Sequence, residues 1–369
     1  MQKNDSLWDL FQQKNLSRRN FLKTCVTITG ILGLSPMMIP EVVSAAEKKT
    51  LVPLIWLHGH ECTGCDEAFI RSQTPLASDV ILNMISLEYM DVLAAAAGEP
   101  LEHHLQETMK KYNGKYILAV EGAVPLHDDG TSCMVGGKPF VQNLKEVAKG
   151  AAAIIEVGSC AAWGGIQAAK PNPTKSVSVS DVVSGKTIIK VPGCPPIPEV
   201  ITGVIMHYTL FGQLPPLDSK GRPKQFFGNR IHDTCYRRPF FDSGMFVEKF
   251  DDAGSKAGWC LYKVGCRGPE AYNSCGNMRW WNGLSYPIQS GAPCVGCASN
   301  NFWDNDPFYE RMPNIPVANV IANADKVGIV TAGALTAGVL IHGALSAVQH
   351  SRLHGDKPDG DKSETEKKE

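Results

Sequence analysis

Cys62 and Cys65 stand two residues apart in His60-Glu61-Cys62-Thr63-Gly64-Cys65, directly after the apolar run from Leu51 to Leu57. Such a pair at a strand end can be a redox dithiol, half of a zinc site, or two ligands of an iron–sulfur cluster. Two more cysteines sit in comparable settings, Cys160 in Gly158-Ser159-Cys160 and Cys194 in Pro192-Gly193-Cys194-Pro195-Pro196. A dithiol needs only its own pair and would leave Cys160 and Cys194 without a role. Zinc can take four cysteines, but its sites usually close on short-spaced pairs. Single cysteines spread over separate strand ends suit a four-iron cluster better, because its irons accept ligands from well-separated directions. Spacing alone leaves all three readings open, with the cluster favoured.

From about Asn229 the sequence changes character. It is rich in Gly, Asn, Cys and Trp and has few strand or helix runs, as expected where cofactors replace an apolar core. The ligand candidates are His232 and Cys235 in RIHDTC, Cys260 in GWC, Cys266 in VGC, Cys275 in NSC, and Cys294 with Cys297 in CVGC. These residues cannot make two all-cysteine cubanes. They can make one site of three cysteines and a histidine, and another of three cysteines. His232 alone reads as a surface or hydrogen-bonded histidine; its H-x-x-C spacing beside the cysteines favours a ligand. Glu61 and Glu121 lie beside strand ends and are candidates for tuning or proton movement, or are simply solvated carboxylates.

The elements that must carry these residues read as α/β. Apolar runs at Leu51–Leu57, Val80–Leu87, Lys115–Gly122, Ala151–Gly158 and Thr187–Gly193 alternate with helical stretches such as Asp91–Ala97 and Pro139–Ala148. Alternation of this kind predicts a parallel, doubly wound sheet with ligands gathered beyond the C-terminal ends of its strands. The first, fourth and fifth runs then deliver Cys62, Cys65, Cys160 and Cys194 to one edge. Glycine beside each position permits the tight backbone that a bulky inorganic group needs.

The whole chain sets bounds on this reading. At 369 residues it is long enough for two domains and extras, and 36 basic against 37 acidic residues give no charge argument for nucleic acid. Twelve cysteines would suggest disulfides in an exported protein and metal in a cytosolic one. Ser17-Arg18-Arg19-Asn20-Phe21-Leu22-Lys23 precedes an apolar stretch that ends near the small residues Val43-Ser44-Ala45-Ala46. This looks like a twin-arginine export signal cleaved near Ala45 or Ala46. That route carries folded proteins, so a periplasmic address and metal-bound cysteines are compatible. Val327 to Val348 holds 22 residues without Asp, Glu, Lys or Arg, enough helix for a bilayer core of roughly 30 Å. Arg352 and Lys357 follow it, as the positive-inside rule prefers for a cytoplasmic tail. His342 lies within the span, either as a solvated interface histidine or as one approaching a haem on a partner.

ECTGC, the GSC and PGCPP cysteines, RIHDTCYRRPFFD, GWCLYKVGCRGP and CVGC together resemble the small subunit of a membrane-bound, periplasm-facing nickel–iron uptake hydrogenase, over essentially the whole chain. The resemblance implies a flavodoxin-like domain at 47–225, a small irregular cluster domain at 226–315, an anchor at 326–349 and a cytoplasmic tail at 350–369, after a signal at 1–46. It further implies a proximal [4Fe–4S] cluster on Cys62, Cys65, Cys160 and Cys194, and a distal [4Fe–4S] cluster on His232, Cys235, Cys260 and Cys266. A medial [3Fe–4S] cluster would lie on Cys275, Cys294 and Cys297, with Pro287 where a fourth cysteine would otherwise stand. Cys133 is left as an ordinary buried thiol, and Cys25 leaves with the signal.

The implied activity is hydrogen oxidation. The nickel–iron centre would sit on a separate large subunit, and electrons would pass to a membrane b-type cytochrome and quinone from a heterodimer or a dimer of heterodimers. Oxygen-tolerant members of this family carry two further cysteines where this chain has Gly64 and Gly165, which implies a standard, oxygen-sensitive enzyme. The rival function is an iron–sulfur subunit of another exported oxidoreductase, such as a molybdenum enzyme. Such subunits usually show repeated CxxCxxC runs, absent here. A zinc-stapled binding protein is the remaining alternative.

Overall fold

The computed structural model describes residues 6–305, 307–310, 314–317 and 320–354. The chain divides into two units, Met1–Met312 and Pro313–Glu369.

The first unit opens with three helices, α1 (Leu7–Gln13), α2 (Arg18–Ile31) and α3 (Ile39–Lys48). A five-stranded sheet follows: β1 (Pro53–His58), β2 (Ser86–Tyr89), β3 (Tyr116–Glu121), β4 (Ala151–Val157) and β5 (Ile188–Val191). Between and after the strands come α4 (Gly64–Ile70), α5 (Glu99–Lys111), α6 (Phe140–Lys149), α7 (Gly158–Trp163) and α8 (Pro198–Phe211). Every strand pairing is parallel, in the spatial order β2-β1-β3-β4-β5. This is the doubly wound order in which the chain reverses direction between β1 and β3, and it places a crevice at their C-terminal ends.

The sheet is covered on both faces, so its strands are nearly continuous apolar runs rather than alternating ones. Every residue of β1 and β3 is buried. Side chains still divide by the pleat. Leu54 and Trp56 enter the core shared with α2, α4 and α8, while Ile55 and Leu57 enter the core with Leu105 of α5 and Leu144 of α6.

Two expectations need correction. Of the run Val80–Leu87, only the end is strand; Val80–Met84 forms one wide helical turn before β2. Val80 and Met84, four apart, are buried together while Leu82 is 60% exposed, so the run follows helical rather than alternating periodicity. Asp91–Ala97 is a series of turns, too short to form a helix unaided and held at Asp91 by His58. The helix begins instead at Glu99, after Gly98 at φ +66°, with Glu99 and Glu102 in its first turn and Lys110 and Lys111 in its last. These charges suit its dipole.

From Gly228 to Glu310 the described chain is built from turns and short helices, the longest being Arg238–Asp242. Its apolar residues, including Val247, Leu261, Val264, Tyr286 and Ile288, join the same core as β1 and α8. In the second unit, Asn314–Val317 pairs with Val320–Asn323, and α9 (Ala324–His354) follows. Within it Ile329–His350 is long and apolar enough to cross a membrane, about 33 Å of helix. The tail expected at 350–369 lies outside the described residues from 355 onward.

Candidate metal-ligand sites

The sheet's C-terminal edge is shaped by backbone that only certain residues adopt. Thr63, at φ +62°, turns the chain between β1 and α4 and puts Cys65 in the first helical turn. Gly158, at φ +85°, ends β4; a Cβ there would lie 2.5 Å from Cys65 Sγ, so glycine is what lets the fourth strand reach the first cysteine pair. Gly193, at φ +153°, leads β5 into Cys194.

These turns bring the first four cysteines together. Burial, and then Glu121, Cys160, Cys194 and Cys62, push the Cys65 thiol well above its ordinary pKa. Burial raises Cys160 to about 11, with Cys62 adding to it against a hydrogen bond from Gln167. Burial together with Cys297, Cys160 and Cys62 raises Cys194 to about 12.

A second set lines a small cleft: His232, Cys235, Cys260 and Cys266, together with Arg237 and Arg238. Burial and then the Arg238 charge lower the pKa of His232, favouring the neutral imidazole that can donate a lone pair. Phe241 meets that ring edge-on at 4.5 Å. Cys235 Sγ accepts hydrogen bonds from Arg237 N–H and Tyr286 O–H, both at 3.4 Å.

The remaining three lie between. Burial and then Cys266, Cys297 and Cys275 push Cys294 far up, while burial and Cys297 raise Cys275 to about 12. Gly296 N–H donates to Cys294 Sγ at 3.3 Å. Cys297 therefore neighbours Cys194 of the first set, and Cys294 neighbours Cys266 of the second. Ser159 fastens the first junction, its hydroxyl donating to Cys297 O and accepting from Gly193 N–H.

All the cysteines are free thiols. Cys133 is half-buried against the core on the α5 and α6 side. Pro287 is exposed, and His342 lies on the exposed part of α9. Of the two acids singled out, Glu121 is buried and accepts from Cys65 N–H at 3.0 Å; burial and then Asp66 raise it to about 8. Glu61 is only partly buried and is raised chiefly by burial.

Sequence reasoning missed the polar cluster beneath this edge. His58, Asp66 and Glu121 present ligand atoms within 4.8 Å of one another, all buried. His58 Nε2 lies 2.9 Å from Asp66, and Nδ1 meets Asp91. Burial would lower the His58 pKa, but the two carboxylates outweigh it and raise it to about 10. His58 is thus clamped between Asp66 and Asp91. The available signal was a histidine ending a wholly apolar strand.

Residues 62–208 match the family model described as NADH ubiquinone oxidoreductase, 20 Kd subunit, and residues 227–309 match the C-terminal model of the NiFe/NiFeSe hydrogenase small subunit. The uptake hydrogenase small subunit of Azotobacter vinelandii is 54% identical over 333 residues, covering 90% of this chain and 93% of the relative. That of Cupriavidus necator is 54% identical over 324 residues, 88% and 90% of the two chains. Among solved structures, the reduced, active Ni-Fe-Se hydrogenase of Desulfomicrobium baculatum matches at a TM-score of 0.68 and 34% identity, over 71% of this chain and 100% of the other. With such identity along nine-tenths of its length, the chain belongs to the family of nickel–iron uptake hydrogenase small subunits.

Proposed function

We propose that the three sets hold three clusters in a row: a proximal [4Fe–4S] on Cys62, Cys65, Cys160 and Cys194, a medial [3Fe–4S] on Cys275, Cys294 and Cys297, and a distal [4Fe–4S] on His232, Cys235, Cys260 and Cys266. The observation that carries this reading is the junctions. Ser159 ties Cys297 O to the turn that carries Cys194, and Arg267 N–H, next to Cys266, donates to Cys294 O at 2.7 Å, so the three-thiol set borders both of the others. The donors fit. Buried thiols with raised pKa values are poor metal ligands as thiols and become good ones only where cationic iron draws off the proton. The cleft at His232 is walled by that imidazole and by three thiols, Cys235, Cys260 and Cys266.

When bound, the clusters supply one-electron redox chemistry, taking electrons from the large subunit's nickel–iron site during hydrogen oxidation and passing them toward a membrane b-type cytochrome and quinone. The chain's own groups set the conditions. Hydrogen bonds to Cys235 and Cys294, and a neutral imidazole in place of a fourth thiolate, disfavour added negative charge less and so favour reduction. The clamp of Asp91, His58 and Asp66 fixes the start of α4, and Glu121 holds Cys65 N–H.

The same reading makes 1–46 a twin-arginine leader, 47–225 the proximal domain, 226–315 the medial and distal domain, 326–349 an anchor and 350–369 a cytoplasmic tail, with the folded body in the periplasm. The test is to purify the chain with its natural partners and assay nickel, iron, acid-labile sulfide and hydrogen uptake together. About eleven irons per small subunit and a three-iron signal after oxidation are expected. A colourless, zinc-containing preparation would overturn it.

A further inference from the structure

Residues 6–48 precede the first strand, yet they are folded onto the domain. α1 begins on a Ser6–Asp9 capping box, and α2 on Ser17, whose hydroxyl accepts from Asn20 N–H. Phe21, Cys25, Ile28 and Leu32 recur at spacings of three and four, so they share one face of α2, and none is more than 1% exposed. Leu22 and Val26, off that face, are 40% and 50% exposed.

The buried face packs on α8 of the sheet domain. A Cβ on Gly203 of α8 would come within 3.0 Å of Ile31 Cγ2, so the two helices approach closely there. Lys14 Nζ donates to Leu82 O at 2.9 Å, and Ser6 bridges to Thr50.

Two features of an export signal are engaged by this packing. Arg18, the first arginine of the pair, lies 4.8 Å over the Trp8 ring and 5.4 Å from the Phe21 ring and pairs with Glu47. The small residues Val43 to Ala46 lie inside α3, with Ala46 fully buried, whereas proteases act on exposed chain that can be extended.

We propose that the apolar strip around α8 and Met84 is an interaction surface whose occupant in the precursor is the chain's own leader, residues 6–48. Docking holds Arg18 in an ion pair and keeps the Val43–Ala46 segment helical, so export and processing require the leader to be released first. The docking stands on the packing; only its consequence for export rests on the twin-arginine reading.

The test uses the full-length precursor in detergent and follows trypsin cleavage after Arg18, Arg19 and Lys23 by mass spectrometry. Ile28→Asp places a charge in the docked face, and Leu22→Asp places the same charge on the exposed side of the same helix. Cleavage in wild type and Leu22→Asp should be slow, and at least about tenfold faster in Ile28→Asp, with the fragment beginning near Thr50 still resistant. Glu47→Ala, a milder change, should accelerate cleavage after Arg18 in the same direction. A wild-type leader cut as fast as that of Ile28→Asp, with the body intact, overturns the proposal. Export of an Arg18→Lys, Arg19→Lys double variant tests the route separately: unimpaired export would remove the twin-arginine reading and leave the protection in place.

Discussion

Glu156 shows how one residue sets a pH dependence away from the thiol sets. It sits in β4 with no exposed surface, 3.1 Å from Lys190 Nζ. Burial lifts its pKa to about 7 from an ordinary 4.5, against the pull of Lys190 and of Ser180. Between those values the folded chain keeps a proton that the unfolded chain has released, so stability falls as pH rises through that window. The cost reaches about 3 kcal/mol by pH 7.5. Glu156→Gln should flatten the slope, read as thermal midpoints at pH 5 and 7.5; an unchanged slope would mean that burial does not dominate. The same scale decides oxygen behaviour. Gly165 is at φ +66°, and a Cβ there would stand 2.5 Å from Cys160 Sγ, while at Gly64 it would stand 3.1 Å from Cys62 Sγ. Both positions lie beside sulfurs of the first set but add none of their own, and the expected enzyme loses its hydrogen-oxidation current on an electrode when oxygen is admitted. Sustained current in air would show that tolerance does not need cysteine at 64 and 165.

At the scale of elements, three strand ends and the glycines that follow them make the first site. Gly158→Ala should strain a left-handed position by about 1–2 kcal/mol and drive a methyl into Cys65 Sγ. The expected result is about four fewer irons per chain with the other two signals kept, measured by iron assay and paramagnetic resonance. Full iron content in that variant would detach Gly158 from the site. Four of the five strands were legible because a parallel sheet covered on both faces demands continuous apolar runs, as in Tyr116–Glu121 and Ala151–Val157. The second was half misread, since Val80 and Met84 serve a helical turn with residues that also favour strands. α5 was missed because only Leu101, Leu105 and Thr108 of its thirteen residues are buried, leaving a polar surface without a strong apolar stripe. The four strand-end cysteines were grouped from their positions alone, whereas the order of the three sets came only with the family resemblance. That Cys297 meets Cys194, and that His58 is clamped by Asp66 and Asp91, depends on chain that returns from elsewhere in the fold, which no local spacing encodes.

At the scale of the whole molecule, the two ends are apolar for different reasons. The apolar face of α2 is buried on the body, whereas Ile329, Leu335, Val339 and Leu345 of α9 are each more than 60% exposed. An apolar surface of that extent on every side of a helix is costly in water at roughly 25 cal/mol per Å2, and costs nothing in lipid. Its glycines and alanines would allow a second helix to approach closely in a bilayer. Sequence separated the ends by charge and length, but did not show that residues 6–48 pack on the sheet domain. The thiol sets all lie before Met312, in a unit with its own core, so removing α9 should leave them intact. A chain ending before Val327 should form a complex that is soluble without detergent and oxidises hydrogen with an artificial dye at an undiminished rate. Transfer to quinone in reconstituted membranes should be lost, because the helix proposed to dock the b-type cytochrome is gone. Dye-linked activity and quinone reduction are measured on the same preparation. Loss of both would mean that α9 supports the fold, and retention of both would sink the idea that it docks the cytochrome.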